Sequence, residues 1–140
     1  MKKLLLIAIA ALVLLPSAGA QDTAQKQKIN KKNLVIKEWN TDPKGGAKAL
    51  DHVTTYSPEG KKLDEIEYSS EGQKWRKRYE YGADGKVSKE LVYDNRNRLQ
   101  TYKTFEYNEF GRKKVQYTYN AKGKLLTIKH FEYIAQDAGQ

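Results

Sequence analysis

The side chains with the clearest potential for binding chemistry in this 140-residue chain are lysines interleaved with tyrosines. Tyr79, Lys89, Lys103 and Tyr117 are spaced so that two ammonium groups would lie between two rings on one face of a β-sheet. Because directly opposed like charges are unfavourable, such a lysine pair favours an anionic ligand, and the rings beside it suit a sugar. The structural alternative is that the lysine stems pack on the rings while the ammonium groups stay in water. These four are the candidate ligand-binding residues.

Residues suited to catalysis are few. The chain has no cysteine, which excludes disulfides, a zinc–cysteine site and a cysteine nucleophile, and its two histidines, His52 and His130, lie in no recognisable motif. Glu80, Glu106 and Glu132 could be paired carboxylates for glycoside cleavage, but their recurrence at equivalent positions favours a structural ladder with neighbouring cations. The sequence therefore predicts no catalytic residues, no metal and no cofactor.

The strands that must position the candidate residues are defined by turns. Each turn fits a type I turn followed by a left-handed residue, which makes a hairpin loop with a glycine bulge. Between the turns, ring-bearing and charged residues alternate as in a strand, and the connections are too short for helices, so consecutive strands must be antiparallel. Six marker tyrosines, spaced 12, 13, 12, 14 and 12 residues apart, precede the turns: Tyr56-SPEG, Tyr68-SSEG, Tyr81-GADG, Tyr93-DNRN, Tyr107-NEFG and Tyr119-NAKG.

A longer period of 26 residues is superimposed on the single strands. The motif K-x-[YF]-E-Y occurs at 77–81, 103–107 and 129–133, so the unit is a two-strand hairpin in tandem. Residues 33–39 and 47–56 add two strands. We therefore expect an all-β antiparallel meander of about eight strands, curved into a single-layer sheet or an open half-barrel, with a closed eight-stranded barrel as the alternative.

The turns also predict a register between neighbouring strands. We assume that each turn holds its first residue opposite the residue after the bulge. All the resulting partners then lie on the ring-bearing face. The predicted pairs are Tyr81 with Val87, Tyr79 with Lys89, Lys77 with Leu91, Lys89 with Lys103, and Lys103 with Tyr117.

The turn motifs resemble known repeats. Residues 93–99 (YDNRNRL) resemble the tyrosine-aspartate repeat of the Rhs type, and residues 119–125 are a variant of it. The same spacing resembles MORN-like repeats and small secreted bacterial proteins built from such hairpins. The resemblance covers residues 56–133 and implies a repetitive β-hairpin fold. For function, it implies an antitoxin or immunity module as an alternative.

The first 20 residues have the pattern of a secretory signal peptide. Lys2 and Lys3 precede the apolar run 4–15, and Ala18 and Ala20 form the cleavage signal. The 12 apolar residues are fewer than the roughly 20 that span a bilayer. We expect residues 1–20 to be removed, 21–32 to be a flexible leader, 33–134 to form the repeat domain, and 135–140 to be a disordered tail. Cleavage removes two of 26 basic residues and no acids, which leaves 24 − 17 = +7.

The expected function follows from export and from the repeats. The sequence favours a secreted, non-catalytic binding or structural module in the periplasm, at the cell surface or outside the cell. An acidic glycan or a secreted protein is the expected partner, while export disfavours nucleic acid and a hydrolase is a weaker alternative. No transmembrane segment is expected in the mature chain. The two edge strands of a meander can also accept a strand from another chain.

Overall fold

The computed structural model describes residues 28–136. The predicted signal peptide, its cleavage residues Ala18 and Ala20, most of the predicted leader and the last four residues of the tail lie outside the described residues. Within the described range, no helix is long and apolar enough to cross a membrane.

The described residues form one antiparallel sheet in which the strands follow one another in chain order. Every strand pairs only with its sequence neighbours, and residues 28–136 contain no helix. The predicted all-β meander of about eight strands is therefore confirmed. The strands are β1 (Val35–Asn40), β2 (Ala49–Tyr56), β3 (Lys62–Ser69), β4 (Gly72–Tyr81), β5 (Val87–Tyr93), β6 (Leu99–Tyr107), β7 (Lys113–Asn120) and β8 (Leu125–His130).

Within residues 28–136 the sheet is open at both edges. Strand β1 pairs with β2 alone and β8 pairs with β7 alone, so the first and last strands are not joined. The alternative of a closed barrel is therefore wrong. All residues of β1 and β8 are exposed, in contrast to the half-buried strands between them.

Five of the hairpin turns have the predicted hydrogen bonds. In each, the first residue donates its N–H to the carbonyl of the fifth residue and accepts the N–H of the fourth, over 2.7 to 3.1 Å. The fourth residue has a positive φ, as at Gly85 (78°) and Asn97 (61°). These turns begin at Ser57, Gly82, Asp94, Asn108 and Asn120. The β3–β4 turn departs from the prediction, because Ser69 pairs directly with Gly72 and the loop is shorter.

The predicted register between neighbouring strands is wrong in most places, because every hairpin contains a β-bulge that the prediction placed only in the turn. One residue near the start of the later strand has no partner, so the strand alternation shifts by one. Only the pair of Tyr81 with Val87 is confirmed. The other predicted pairs are wrong. Tyr79 faces Glu90, Lys77 faces Glu65 and Val92, Lys89 faces Glu80 and Thr104, and Lys103 faces Glu90 and Thr118. The unpaired residues are Asp51, Leu63, Lys74, Ser88, Gln100, Lys114 and Leu126.

The sheet has almost no dry core. Among the described residues Val115 is the one buried hydrophobic side chain, and the other buried residues are Thr54, Ser57 and Asp64. Both faces are in contact with solvent. The sheet is therefore stabilised by its backbone ladder and by half-buried pairs between strands, each worth about 0.2 to 1 kcal/mol.

Candidate binding site

The four predicted ligand-binding residues lie on two faces of the sheet. We call the face that carries Tyr79 the front face and the other the back face. Lys103 pairs with Glu90, the partner of Tyr79, and lies on the front face. Lys89 pairs with Glu80 and Tyr117 pairs with Thr104, which places both on the back face. The bulges at Ser88, Gln100 and Lys114 cause this separation, because each shifts the alternation by one residue. The ligand-binding role of the four residues stays a prediction.

Each of the four already contacts a neighbouring side chain. Lys103 Nζ lies 3.7 Å from Glu90 Oε1, and Lys89 Nζ lies 5.4 Å from the centre of the Tyr102 ring. The Tyr117 hydroxyl donates to Glu106 Oε1 over 3.0 Å. The two lysines do not oppose each other, so the argument from like-charge repulsion no longer applies to them.

Tyr79 belongs to a cluster on the front face that the sequence did not predict. Its hydroxyl donates to Glu65, whose other carboxylate oxygen accepts from Lys62 Nζ at 2.7 Å. His52 Nε2 lies 3.9 Å from the same oxygen, and the His52 ring meets Trp75 edge-on at 5.8 Å. Strands β2, β3 and β4 each contribute to this Glu65 cluster. No sequence motif marks it, because finding it requires the correct register of three strands.

The charges in the Glu65 cluster are mutually stabilised. Burial alone would raise the pKa of Glu65, but the hydrogen bonds from Lys62 and Tyr79 outweigh it and the pKa is lowered. The hydrogen bond to Glu65 raises the pKa of Lys62. Burial, followed by the bond to Glu65, raises the pKa of Tyr79 far above its ordinary value. The cluster thus contains an ionised carboxylate, a cation and a neutral phenol, which is a satisfied network rather than a free acid or base.

The back face holds a second ion-pair cluster. Asp64 is buried, and Arg76 donates to both of its oxygens, with the shortest contact 2.6 Å from Nη2 to Oδ2. Arg78 Nε lies 3.6 Å from the same carboxylate. This is the fork-like geometry of a strong arginine–carboxylate pair, and it joins β3 to β4.

A repeated arrangement of rings and cations follows one end of the sheet. Tyr81 donates its hydroxyl to the carbonyl of Lys62 over 2.6 Å, and Tyr107 donates to the carbonyl of Val87 over 2.6 Å. In the same way the Tyr133 hydroxyl donates to the carbonyl of Lys113 over 2.8 Å. Each tyrosine thus reaches the first residue of the preceding strand. Burial raises the pKa of Tyr81 and of Tyr107, which favours the protonated phenol that these bonds need.

A basic side chain lies over each of these rings. A fourth ring, that of Tyr56, also has a basic side chain over it, and we call the four ring–cation pairs the tyrosine–cation ladder. In all four pairs the basic group lies 5.1 to 5.4 Å from the ring centre, within the range of a cation–π contact. The pairs are Lys31 with Tyr56, Lys61 with Tyr81, Lys86 with Tyr107, and Arg112 with Tyr133.

The turn glycines leave room for the cations of the ladder. A Cβ atom at Gly85 would lie 3.0 Å from Lys61 Nζ, and one at Gly111 would lie 3.1 Å from Lys86 Cε. Lys61 and Lys86 therefore each lie between the ring of their own pair and the turn of the next hairpin at this end of the sheet. Successive pairs are two strands apart, a repeat of about 9 to 10 Å along the sheet end.

The ladder also has acidic neighbours. Asp84 Oδ2 lies 4.0 Å from Lys86 Nζ, and the turns of the same end carry Glu59 and Glu109. Both of these glutamates are exposed, so water screens their charges. The end of the sheet thus presents regularly spaced cations, each held against a ring, with acids beside them.

Two of the residues considered for catalysis are held by neighbouring side chains. His52 is part of the Glu65 cluster, while Glu106 accepts a hydrogen bond from Tyr117. Over residues 28–136 no three His, Cys, Asp or Glu side chains are close enough to hold a metal ion.

Comparisons with known proteins identify no family. No family model and no curated protein matches the chain. Among solved structures, the crystal structure of a GtfA/B complex bound to UDP and GlcNAc is similar at a TM-score of 0.29 with 14% identity. The match covers 68% of this chain and 20% of that chain. A likeness this weak gives no basis for an argument about fold or function.

Proposed function

We propose that the protein is an exported, non-catalytic binding module whose partner is an extended anionic polymer, with an acidic glycan as the best-fitting class. The observation that carries the proposal is the tyrosine–cation ladder, in which a basic side chain over a tyrosine ring recurs four times along one end of the sheet, three times with Lys and once with Arg. A partner that repeats its charge along its length suits such an array better than a single small anion does.

The ladder supports multivalent binding. Each ring holds the stem of its cation and restricts its motion, so less freedom is lost when an anion binds. A single exposed ion pair contributes about 1 kcal/mol or less, but several on one polymer act together through a high effective concentration. Arg112 is exposed and Tyr133 is 47% exposed, so this pair offers both a charge and a stacking surface.

Export and charge support the same proposal. The signal-peptide pattern, which lies outside the described residues, would deliver the chain to a compartment where acidic glycans and anionic envelope polymers are available. Without residues 1–20 the chain carries 24 − 17 = +7, and a positive field speeds encounter with a polyanion.

Charge-matched variants test the proposal. We would replace Lys61 and Lys86 by Gln and Arg112 by Gln, and compare this triple variant with K44Q/R96Q/K122Q, which loses the same charges from the opposite sheet end. Binding to immobilised polyuronic acid should fall about tenfold or more in the ladder variant and about threefold or less in the control. A neutral polysaccharide serves as the second control.

Two results would count against the proposal. Equal losses in both triple variants would mean that only net charge matters. Retention of wild-type affinity by the ladder variant would exclude the ladder as the binding surface. Circular dichroism of each variant establishes that the sheet remains folded, since each cation–π contact also contributes about 0.5 to 1 kcal/mol.

A further inference from the structure

The two edge strands expose apolar side chains, and one side of each has backbone groups with no partner among the described residues. Val35 and Trp39 on β1 are each 50% exposed, and Ile128 on β8 is 49% exposed. An exposed edge with apolar side chains is a template for pairing with another strand. The repeats of the sequence indicate which strand would pair with each edge.

Strand β8 has the sequence of an interior strand. Residues 99–107 (LQTYKTFEY) and 125–133 (LLTIKHFEY) are identical at six of nine positions. The first segment contains β6, which has β5 on one side and β7 on the other. The second contains β8, which has β7 on one side and an open edge where its equivalent has a neighbour.

Strand β1 has the pattern of the strands that follow such a segment. It ends Glu38-Trp39-Asn40, as β7 ends Thr118-Tyr119-Asn120. Trp39 pairs with Leu50 just before a bulge, and Tyr119 pairs with Leu125 at the same point of its own hairpin. Strand β1 is therefore equivalent to β7, but no strand within residues 28–136 occupies the position that β6 has beside β7.

We propose that β8 of one molecule pairs with β1 of a second copy of this chain, so that the meander continues from one molecule into the next. The register of β6 with β7 transfers directly to the new junction. It opposes Thr127, Ile128, Lys129, His130, Phe131 and Glu132 to Asn40, Trp39, Glu38, Lys37, Ile36 and Val35 of the second copy.

The side chains of this register are complementary. Lys129 meets Glu38 of the second copy, which is an opposite-charge pair at a position where β6 and β7 have Lys103 and Thr118. On the other face Ile128 meets Trp39, where β6 and β7 have the stacked rings of Tyr102 and Tyr119 at 4.9 Å. Phe131 meets Ile36 of the second copy on the face of Lys129, which gives a second apolar pair. His130 opposite Lys37 is the least favourable match, since neither side chain complements the other.

The backbone groups are complementary in the same register. Phe131 donates its N–H to the carbonyl of Lys114 on the β7 side. Backbone groups of successive residues in an antiparallel strand point to opposite sides, so the N–H and carbonyl of His130 point to the open edge. Tyr56 donates to the carbonyl of Leu34, and the same alternation directs those groups of Lys37 to the open edge of β1. His130 and Lys37 oppose each other in the proposed register, so each can donate to the other. The backbone thus supports the register independently of the side chains.

The junction joins two different surfaces and leaves the outer edges free. Such a head-to-tail contact does not close on itself in a flat arrangement, so it produces chains of molecules rather than a single dimer. The proposal does not depend on any anionic partner.

A charge exchange tests both the partner and the register. By sedimentation velocity the purified protein should form oligomers that lengthen with concentration. Glu38→Lys places Lys opposite Lys129, and Lys129→Glu places Glu opposite Glu38, so each variant alone should self-associate about tenfold more weakly. An equimolar mixture of the two should recover wild-type association, since both junctions then join opposite charges.

A backbone variant gives a second test. His130→Pro removes an edge N–H that makes no bond to β7, so the sheet should stay folded by circular dichroism while self-association is lost. In a Trp75→Phe background, the emission of Trp39 should shift to shorter wavelength as wild-type oligomers form. A protein that stays monomeric at all concentrations would overturn the proposal. Single charge variants that associate like the wild type, or a mixture that shows no recovery, would overturn the register.

Discussion

Glu65 shows how single residues hold this sheet together without a core. Its carboxylate is partly buried on the front face and is bonded to Lys62 and Tyr79. The pKa of Glu65 is lowered, so its contribution to stability is present above the ordinary carboxyl pKa and is lost as pH falls through the folded value. The pKa of Lys62 is raised, so its contribution is present at neutral pH and is lost as pH rises through its folded value.

Glu65→Gln should therefore destabilise the protein by about 1 to 2 kcal/mol at pH 7 and by much less at an acidic pH below the folded pKa of Glu65, where the wild-type carboxylate is itself protonated. Urea unfolding at the two pH values measures the difference. Glu109→Gln, at an exposed turn position, is the control and should change stability by about 0.5 kcal/mol or less. An equal loss at both pH values would show that the charge of Glu65 contributes nothing.

The sequence did not reveal the Glu65 cluster, although it contains Tyr79, one of the candidate residues. Its members come from three strands, and each pair of neighbouring strands contains one unpaired bulge residue. No residue type is common to the bulge positions, which include Ser88, Gln100 and Leu126, so the sequence carries no signal for them. A bulge that is not foreseen shifts every predicted pair beyond it by one residue. The predicted face of each of those residues, including the charged ones, is then the wrong face of the sheet.

At the scale of elements, the turns were the best-predicted feature because their chemistry is local. A left-handed residue is needed four positions into each turn, and Gly or Asn provides it at low steric cost. The five turns with this geometry, and hence the number of strands, follow from that requirement. The β3–β4 turn has the same sequence pattern but a shorter loop, since Ser69 pairs with Gly72.

Substitutions at two equivalent turn positions should differ in cost. Gly85→Ala places a Cβ at a φ of 78° and 3.0 Å from Lys61 Nζ, and it should destabilise the protein by about 1 to 2 kcal/mol. Gly85→Asn should cost less, because Asn97 adopts a φ of 61° at the matching position. Asn97→Gly is the reciprocal control and should be nearly neutral. Thermal unfolding gives the order, and an Ala variant as stable as the Asn variant would contradict the argument.

The whole molecule is a single layer in which each strand depends on its neighbours. Backbone contacts in the described sheet join only consecutive strands, as in a one-dimensional repeat array. Opening can then begin at either edge and proceed inward, since an edge strand has one partner and an interior strand has two.

Amide hydrogen exchange should show this gradient. In dilute solution, where molecules are separate, amides of β4 and β5 should exchange at least about tenfold more slowly than those of β1 and β8. At concentrations where molecules associate, amides at the open edges, including that of His130, should become protected. Uniform protection across all eight strands would instead indicate one cooperative unit.

The regular placement of the bulges has a consequence for how such a chain can change size during evolution. A segment such as 82–107, which is 107 − 81 = 26 residues long, starts and finishes at the same end of the sheet with its faces in the same orientation. Gene duplication or loss of that segment would add or remove two strands and leave the outermost strands unchanged. A gain of one strand would reverse the chain direction at one edge. Lineages of this protein should therefore differ by whole hairpins, with both edges inherited intact.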